Sequence, residues 1–432
     1  MIATVGEPMA TSLARRLRDP AAWSITVDVF AILVGISLPW STSLVAIFAV
    51  ALLLTRISFL DLGAFLQVLR RPICLAPLGL VLLACVGTLW SDADWGTRLH
   101  AINPTVKLLM LPVLFYHFER SERGLWVLVA FLISCLLLTV MSWIVLFHPE
   151  LSFRQINPEP GIFVKNYIDQ SQEFALCAVA LAYPIITMAR AQRPWSALLL
   201  SAIALGFFLT MAFVVVSRTA LVTMPLMIAV FGVLHLSRRT TAIILCAAAF
   251  FGAIAWAKSP QLQSTFAKFS RDYELYAQYG TSTSIGERLE YWKKSLRFYA
   301  EAPIVGHGTG STRGLFEHVA TGPASSASAQ VIGNPHNQTL NVAVQWGSLG
   351  VAILYSIWIV HLLLFRGAGF ANWIGLLVVV QNIFTSLFNS HLFDFHEGWM
   401  YVVGVGVAGG MVLKTRPLEP VSMPIDSRSA TS

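Results

Sequence analysis

The chain has 432 residues, of which 56% are hydrophobic and only 12% charged, a composition too apolar to wrap a polar surface around a soluble core. Its formal net charge is +7, but Lys and Arg fall in short clusters between apolar runs rather than in one broad basic patch, which argues against nucleic acid as a partner. Membrane lipid is the solvent such a chain requires.

Residues 1–22 carry Arg15, Arg16 and Arg18 and read as a cytoplasmic tail. The apolar run from Trp23 has no small-residue cleavage site and leads into further spans, so it reads as a retained first helix rather than a cleaved signal. Segments apolar and long enough to cross roughly 30 Å of hydrocarbon begin near Trp23, Leu44, Ile73, Pro104, Gly124, Asn166, Trp195, Thr219, Thr241, Gln338, Phe370 and Gly398, which predicts an all-α integral membrane protein of about twelve spans. The run from Trp195 to Leu236 is too long for one crossing, and a hairpin turn at Val216 to Arg218 divides it.

An N-terminus inside the cell puts Arg56, Arg70, Arg71, Arg120, Arg123, Arg190, Arg193, Arg238, Arg239, Arg366, Lys414 and Arg416 on the cytoplasmic side and leaves the short outer loops poor in Lys and Arg, as the positive-inside rule requires. The chain then divides into the tail 1–22, nine spans in 23–257, a large periplasmic loop domain 258–337, three spans in 338–413 and a second cytoplasmic tail 414–432. A shorter, Pro-rich outer loop runs from His148 to Lys165. No internal repeat is visible. All five cysteines lie in or beside apolar runs, which argues against a disulfide framework.

Within the long loop, Ser284 and Glu287 form a capping-box pattern ahead of Leu289, Trp292, Leu296 and Tyr299, so a helix is expected from about Ile285. Lys293, Lys294 and Arg297 on its other side suit an anionic membrane surface, and Arg288 sits in the first turn, where unpaired N–H groups and the helix dipole favour an anion. Gly306, Gly308, Gly310 and Gly314 read as turns.

Three features carry chemical interest. His336, in Asn334-Pro335-His336-Asn337-Gln338, stands where the long loop re-enters the membrane; proline favours an extended entry, and Asn337 can satisfy backbone groups at the start of the next helix. It reads either as a catalytic imidazole or as an interfacial residue at a helix start. Arg218 is the one Lys or Arg in the run Trp195 to Leu236; it is either functional or snorkelling to the boundary. Arg288 is either an anion ligand or a lipid-headgroup contact. His391, Asp394, His396 and Glu397 gather in the last outer loop, but no Cys completes a ligand set and such residues commonly hydrogen-bond one another, so no metal is expected. Asp394 is instead a candidate to orient His336 or an arginine.

His336-Asn337, then nine residues, Gly347, two residues and Gly350 resemble the signature H-[NSQ]-x9-G-x-x-[GTY] of bacterial O-antigen ligases, within the O-antigen ligase and polymerase superfamily. Ser217-Arg218-Thr219, Arg288 to Trp292 and Pro303 to Gly308 extend the resemblance, which covers most of the chain from about Asn166. It implies a glycosyltransferase C-like fold in the bacterial inner membrane. It also implies transfer of O-antigen polysaccharide from undecaprenyl diphosphate to lipid A-core oligosaccharide at the periplasmic face, independent of metal and without a cofactor.

On that reading His336 is the general base and Arg218 and Arg288 bind the diphosphate, with Asn337 and Asp394 in support. Guanidinium stays charged and can pair two phosphate oxygens, and backside attack by the acceptor hydroxyl would invert the anomeric centre. An O-antigen polymerase or a protein O-oligosaccharyltransferase would use the same donor. A lipid-linked glycan transporter is the rival from another class, although such proteins typically show related halves.

Overall fold

The computed structural model of the protein describes residues 20–153 and 161–415. Arg15, Arg16, Arg18 and Arg416, much of both tails, and part of the loop from His148 to Lys165 lie outside the described residues. Among the described residues the secondary structure is helical, with one isolated bridge between Thr281 and Ser326.

The helices are α1 (Pro20–Ser37), α2 (Thr42–Ser58), α3 (Leu62–Leu69), α4 (Pro72–Val86), α5 (Trp95–Val106), α6 (Met110–Phe118), α7 (Gly124–Phe147), α8 (Tyr167–Ala180) and α9 (Ala182–Arg190). They continue as α10 (Pro194–Phe213), α11 (Arg218–His235), α12 (Arg238–Lys258), α13 (Pro260–Tyr279), α14 (Ser284–Glu301), α15 (Thr312–His318), α16 (Gln338–Leu364), α17 (Phe370–Thr385) and α18 (Phe395–Thr415). Their starts are written in the sequence: Ser41, Asp61, Asp94, Asn166, Ser237 and Ser259 each accept a backbone N–H of the first turn, and Pro72, Pro194 and Pro260 occupy first positions where no N–H is needed.

Among the described residues, eight helices are long and apolar enough to cross a membrane, and four shorter apolar ones join them. The protein is therefore an all-α membrane protein. The long run from Trp195 divides at residues 214–217, between α10 and α11. The helix expected from Pro104 starts nine residues earlier, at Trp95, because Asp94 caps it through Thr97 N–H at 3.0 Å and its first turns, with Arg98 and His100, are too polar for an apolar window to include.

The spans differ in burial. In α18, 78% of the apolar stretch is buried, against 6% in α12, so α18 is central and α12 is peripheral. A Cβ added at Gly406, Gly409 or Gly410 of α18 would lie 2.4–2.7 Å from Leu114, Phe115 or Phe118; small residues let α18 and α6 approach closely where apolar burial gives no preference over lipid.

One break ties the segment between α12 and α16 to the spans. In an unbroken helix the N–H groups of Ser348 and Leu349 would bond the carbonyls of Val344 and Gln345. Here those carbonyls accept from His307 and Gly308, while Ser348 and Leu349 donate to Pro303 and Ile304, at 2.8–3.1 Å. Gly347, at φ +60, is the non-helical residue of α16, and a side chain there would meet the Ile304 backbone at 2.4 Å. The first glycine of the motif thus marks where the loop from Pro303 to Gly308 plugs into the helix.

Candidate active site

α14 begins at Ser284, one residue before the expected start, and its cap is Thr283, whose hydroxyl accepts Gly286 N–H at 3.2 Å. Glu287 accepts instead from Ser282. The buried face also differs from the expected one. Tyr291, Ser295 and Phe298 are the buried residues beyond the first turn, with Tyr291 and Phe298 packed on Phe316 and Val344; Leu296, expected inside, is exposed. The spacing of apolar residues on α14 supports either face, and the packing of α15 and α16 decides between them. α14 is therefore packed against α15 and α16 on this face, and Lys294 donates to Ser328 O at 2.6 Å.

Ser284, Arg288, Tyr291, Ser295 and Phe298 recur at three and four residues, so they form one stripe. At its start Ser284 and Arg288 line a cavity of about 440 Å³ whose walls include Ser217, Thr219, Tyr167, Gln261, Thr265 and Lys268. Arg218 is the first residue of α11, and its chain neighbours on both sides line this cavity. Further along the stripe, the Tyr291 ring lies 6.1 Å from the ring of His336. The cavity lining does not include His336; it stands farther along the same face of α14, within electrostatic reach of Arg288 and Glu287.

His336 is held by its own loop and by the segment between α17 and α18. Its backbone is left-handed at φ +53, sparse territory for a residue with a side chain, and its N–H donates to Asn334 Oδ1 at 3.0 Å. Asn334 Oδ1 also accepts from Ser390, and Ser390 accepts from Asn341. Asn337 caps α16 through Leu340 N–H at 3.0 Å and donates to Leu387 O. Gln338 accepts Leu392 N–H. The segment that enters α16 and the one between α17 and α18 are thus cross-linked through their side chains.

The imidazole has one tethered nitrogen. His336 Nδ1 is 2.8 Å from Asn389 Oδ1, and Asn389 Nδ2 donates to Asp394 Oδ2 at 2.7 Å. When Asp394 is ionised it only accepts, so it draws the amide N–H₂ toward itself and turns the amide oxygen to the histidine, an arrangement that puts the proton on Nδ1 and leaves Nε2 with a lone pair. Asp394 bears on His336 through this intermediary. Burial, with the charge of Arg288, pulls the His336 pKa below its usual value, against the raising effects of the Asn389 bond and Glu287. Burial and the nearby Glu397 carboxylate push Asp394 up to about 7.

Behind this relay, His391, Asp394 and Glu397 offer ligand atoms within 4.8 Å of one another. The Lys107 ammonium reaches the same place and donates to the carbonyls of Phe393 and Asp394. His391 Nδ1 pairs with Glu397 Oε1 at 3.2 Å; burial opposes protonation of His391, but that carboxylate holds its pKa above the usual range. His396 Nδ1 pairs with Asp169 Oδ2 at 2.6 Å. Lys107 and His391 thus face the carboxyl groups of Asp394 and Glu397, and a divalent cation would have to displace these contacts.

Asn389, Lys268 and Lys107 enter the site without having been singled out in the sequence, and Glu287 was singled out there only as a capping residue. Lys268 had a readable signal: Gln261, Thr265 and Lys268 recur at helical spacing as a polar stripe. Asn389 had none, because its role depends on which two groups it faces.

Residues 203–355 match the family model for O-antigen ligases, a stretch that runs from α10 into α16 and takes in Arg218, Arg288, Lys268, His336 and the Gly347 break. The match supports the O-antigen ligase superfamily, whose members act as glycosyltransferases on polysaccharide and lipid-linked substrates. A search among curated proteins finds no match.

Proposed function

We propose that this chain of the O-antigen ligase superfamily transfers O-antigen polysaccharide from undecaprenyl diphosphate to lipid A-core oligosaccharide, at the periplasmic face of the bacterial inner membrane. The observation that carries the reading is the tether of His336 Nδ1 through Asn389 to Asp394, with His336 beside Tyr291 on the stripe of α14 that also puts Arg288 in the cavity wall. In this reading the chain crosses the membrane twelve times, both ends are cytoplasmic, and 258–337 is the periplasmic domain.

His336 Nε2 takes the proton of the acceptor hydroxyl as its oxygen attacks the anomeric carbon, a role worth about 10²- to 10⁴-fold in rate. The bond from that carbon to the diphosphate breaks on the opposite side, the electron pair leaves with undecaprenyl diphosphate, and the anomeric centre inverts. Arg218 and Arg288 neutralise the charge that grows on the leaving group, and Lys268 adds a third cation from α13. Such contacts gain strength where protein and lipid exclude water. The reading uses neither a metal nor a cofactor.

The test is His336→Ala in a strain lacking its own ligase, followed by the purified protein in liposomes with the lipid-linked glycan and either lipid A-core or a second lipid-linked glycan as acceptor. Loss of capped lipopolysaccharide, together with product on lipid A-core alone, is expected. Normal capping by the variant would remove His336 from the chemistry, and product on the lipid-linked acceptor would make the protein a polymerase. Movement of the glycan across the bilayer without a new glycosidic bond would make it a transporter.

A further inference from the structure

α13 has two faces of opposite character. Gln261, Ser264, Thr265 and Lys268 line the cavity, whereas Phe266, Phe269 and Tyr273, at three- and seven-residue spacing from the first, lie on the other side and are 51%, 51% and 53% exposed. We propose that this aromatic face is seated in the bilayer, at the lipid–water boundary on the side of the long loop, so that α13 is a wall with lipid on one side and the cavity on the other.

The argument rests on continuity. α13 follows α12 across the single residue Ser259, and α12 is the span whose apolar window is only 6% buried; lipid is what covers it. Trp256 in its last turn sits edge-on to Phe266 with ring centroids 4.8 Å apart, and its carbonyl accepts from Gln263 Nε2 at 2.9 Å. The lipid-facing surface of α12 therefore runs unbroken into the aromatic stripe. Aromatic rings with one polar edge favour the headgroup level, and an amphipathic helix with a basic polar side lies in the interface plane. Lys258 at the end of α12 and Arg271 supply cations at that boundary, beside Asp272 and Glu274 of α13.

The lipid seat does not depend on what the cavity binds. One consequence does rest on the proposed reaction: a lipid-linked donor whose diphosphate occupies the cavity passes its hydrocarbon chain beside α13.

The experiment uses the full chain with Cys85→Ser and Cys246→Ser, which removes the two exposed thiols. Phe269→Cys, Tyr273→Cys and, on the flank away from the stripe, Gln278→Cys are labelled singly with a polarity-sensitive fluorophore. The proteins are then placed in phosphatidylcholine–phosphatidylglycerol vesicles. Blue-shifted emission quenched by lipids spin-labelled near the headgroup is expected at 269 and 273, with quenching by aqueous iodide at 278. Equal iodide quenching at all three positions, without lipid quenching, would overturn the proposal. Energy transfer between labels at 269 that grows with the protein-to-lipid ratio, again without lipid quenching, would overturn it in favour of a second copy of this chain on that face.

Discussion

Asn389 stands between the two groups that matter most to each other: its amide oxygen is 2.8 Å from His336 Nδ1 and its amide nitrogen 2.7 Å from Asp394 Oδ2. Leucine at this position keeps the bulk and loses both bonds. Asn389→Leu should lower kcat roughly tenfold, about 1.4 kcal/mol in the barrier, with KM for both substrates nearly unchanged. Because the Asn389 bond raises the His336 pKa, the variant's acid limb should also move to lower pH. An unchanged pH profile would make Asn389 merely structural.

The charges around His336 predict opposite shifts. Activity needs the neutral imidazole, so it is lost as pH falls through the histidine's pKa, which burial and Arg288 place below the usual value. Arg288→Gln removes a charge that resists protonation and should move the acid limb of the residual activity to higher pH. Glu287→Gln removes a charge that favours protonation and should move it lower. Initial rates of glycan transfer between pH 5 and 8 would check both signs.

Arg218→Lys and Arg288→Lys keep charge and lose the planar fork, so both should reduce kcat/KM for the donor while the folded protein is retained. Lys268→Gln should raise the donor KM by roughly threefold to tenfold, an effect that shrinks as salt is added. Full activity in both arginine variants would dispose of the diphosphate clamp.

Gly347→Ala places a methyl group against the Ile304 backbone at a φ of +60, and the strain should cost about 1–3 kcal/mol. Gly206→Ala, whose added carbon meets nothing within 4 Å, is the matched control. Thermal unfolding in detergent should show a clear fall in Tm for the first and little change for the second.

The sequence made the apolar helices legible because each requirement is local: a long apolar run, a capping Ser or Asp, a proline in a first position. It also placed a split at Val216 to Arg218, against 214–217 in the structure, and gave the capping role of Asn337. It missed the first turns of α5, where Arg98 and His100 dilute the apolar signal, and it misjudged the buried face of α14. For the site, the two arginines and the histidine were readable as charges and a motif, whereas Asn389 is an ordinary amide until the segment between α17 and α18 folds back across Asn334. Long-range pairing of that kind leaves no periodic trace.

The plug at Gly347 has a mechanical meaning. Withdrawing residues 303–308 from α16 would strip four main-chain groups of their partners at the edge of a medium that offers no substitutes. The segment between α12 and α16 is thereby clamped to α16, which begins two residues after His336. On the proposed reaction, access for large substrates would then come from movement of other walls, while the imidazole of His336 stays on a fixed mount.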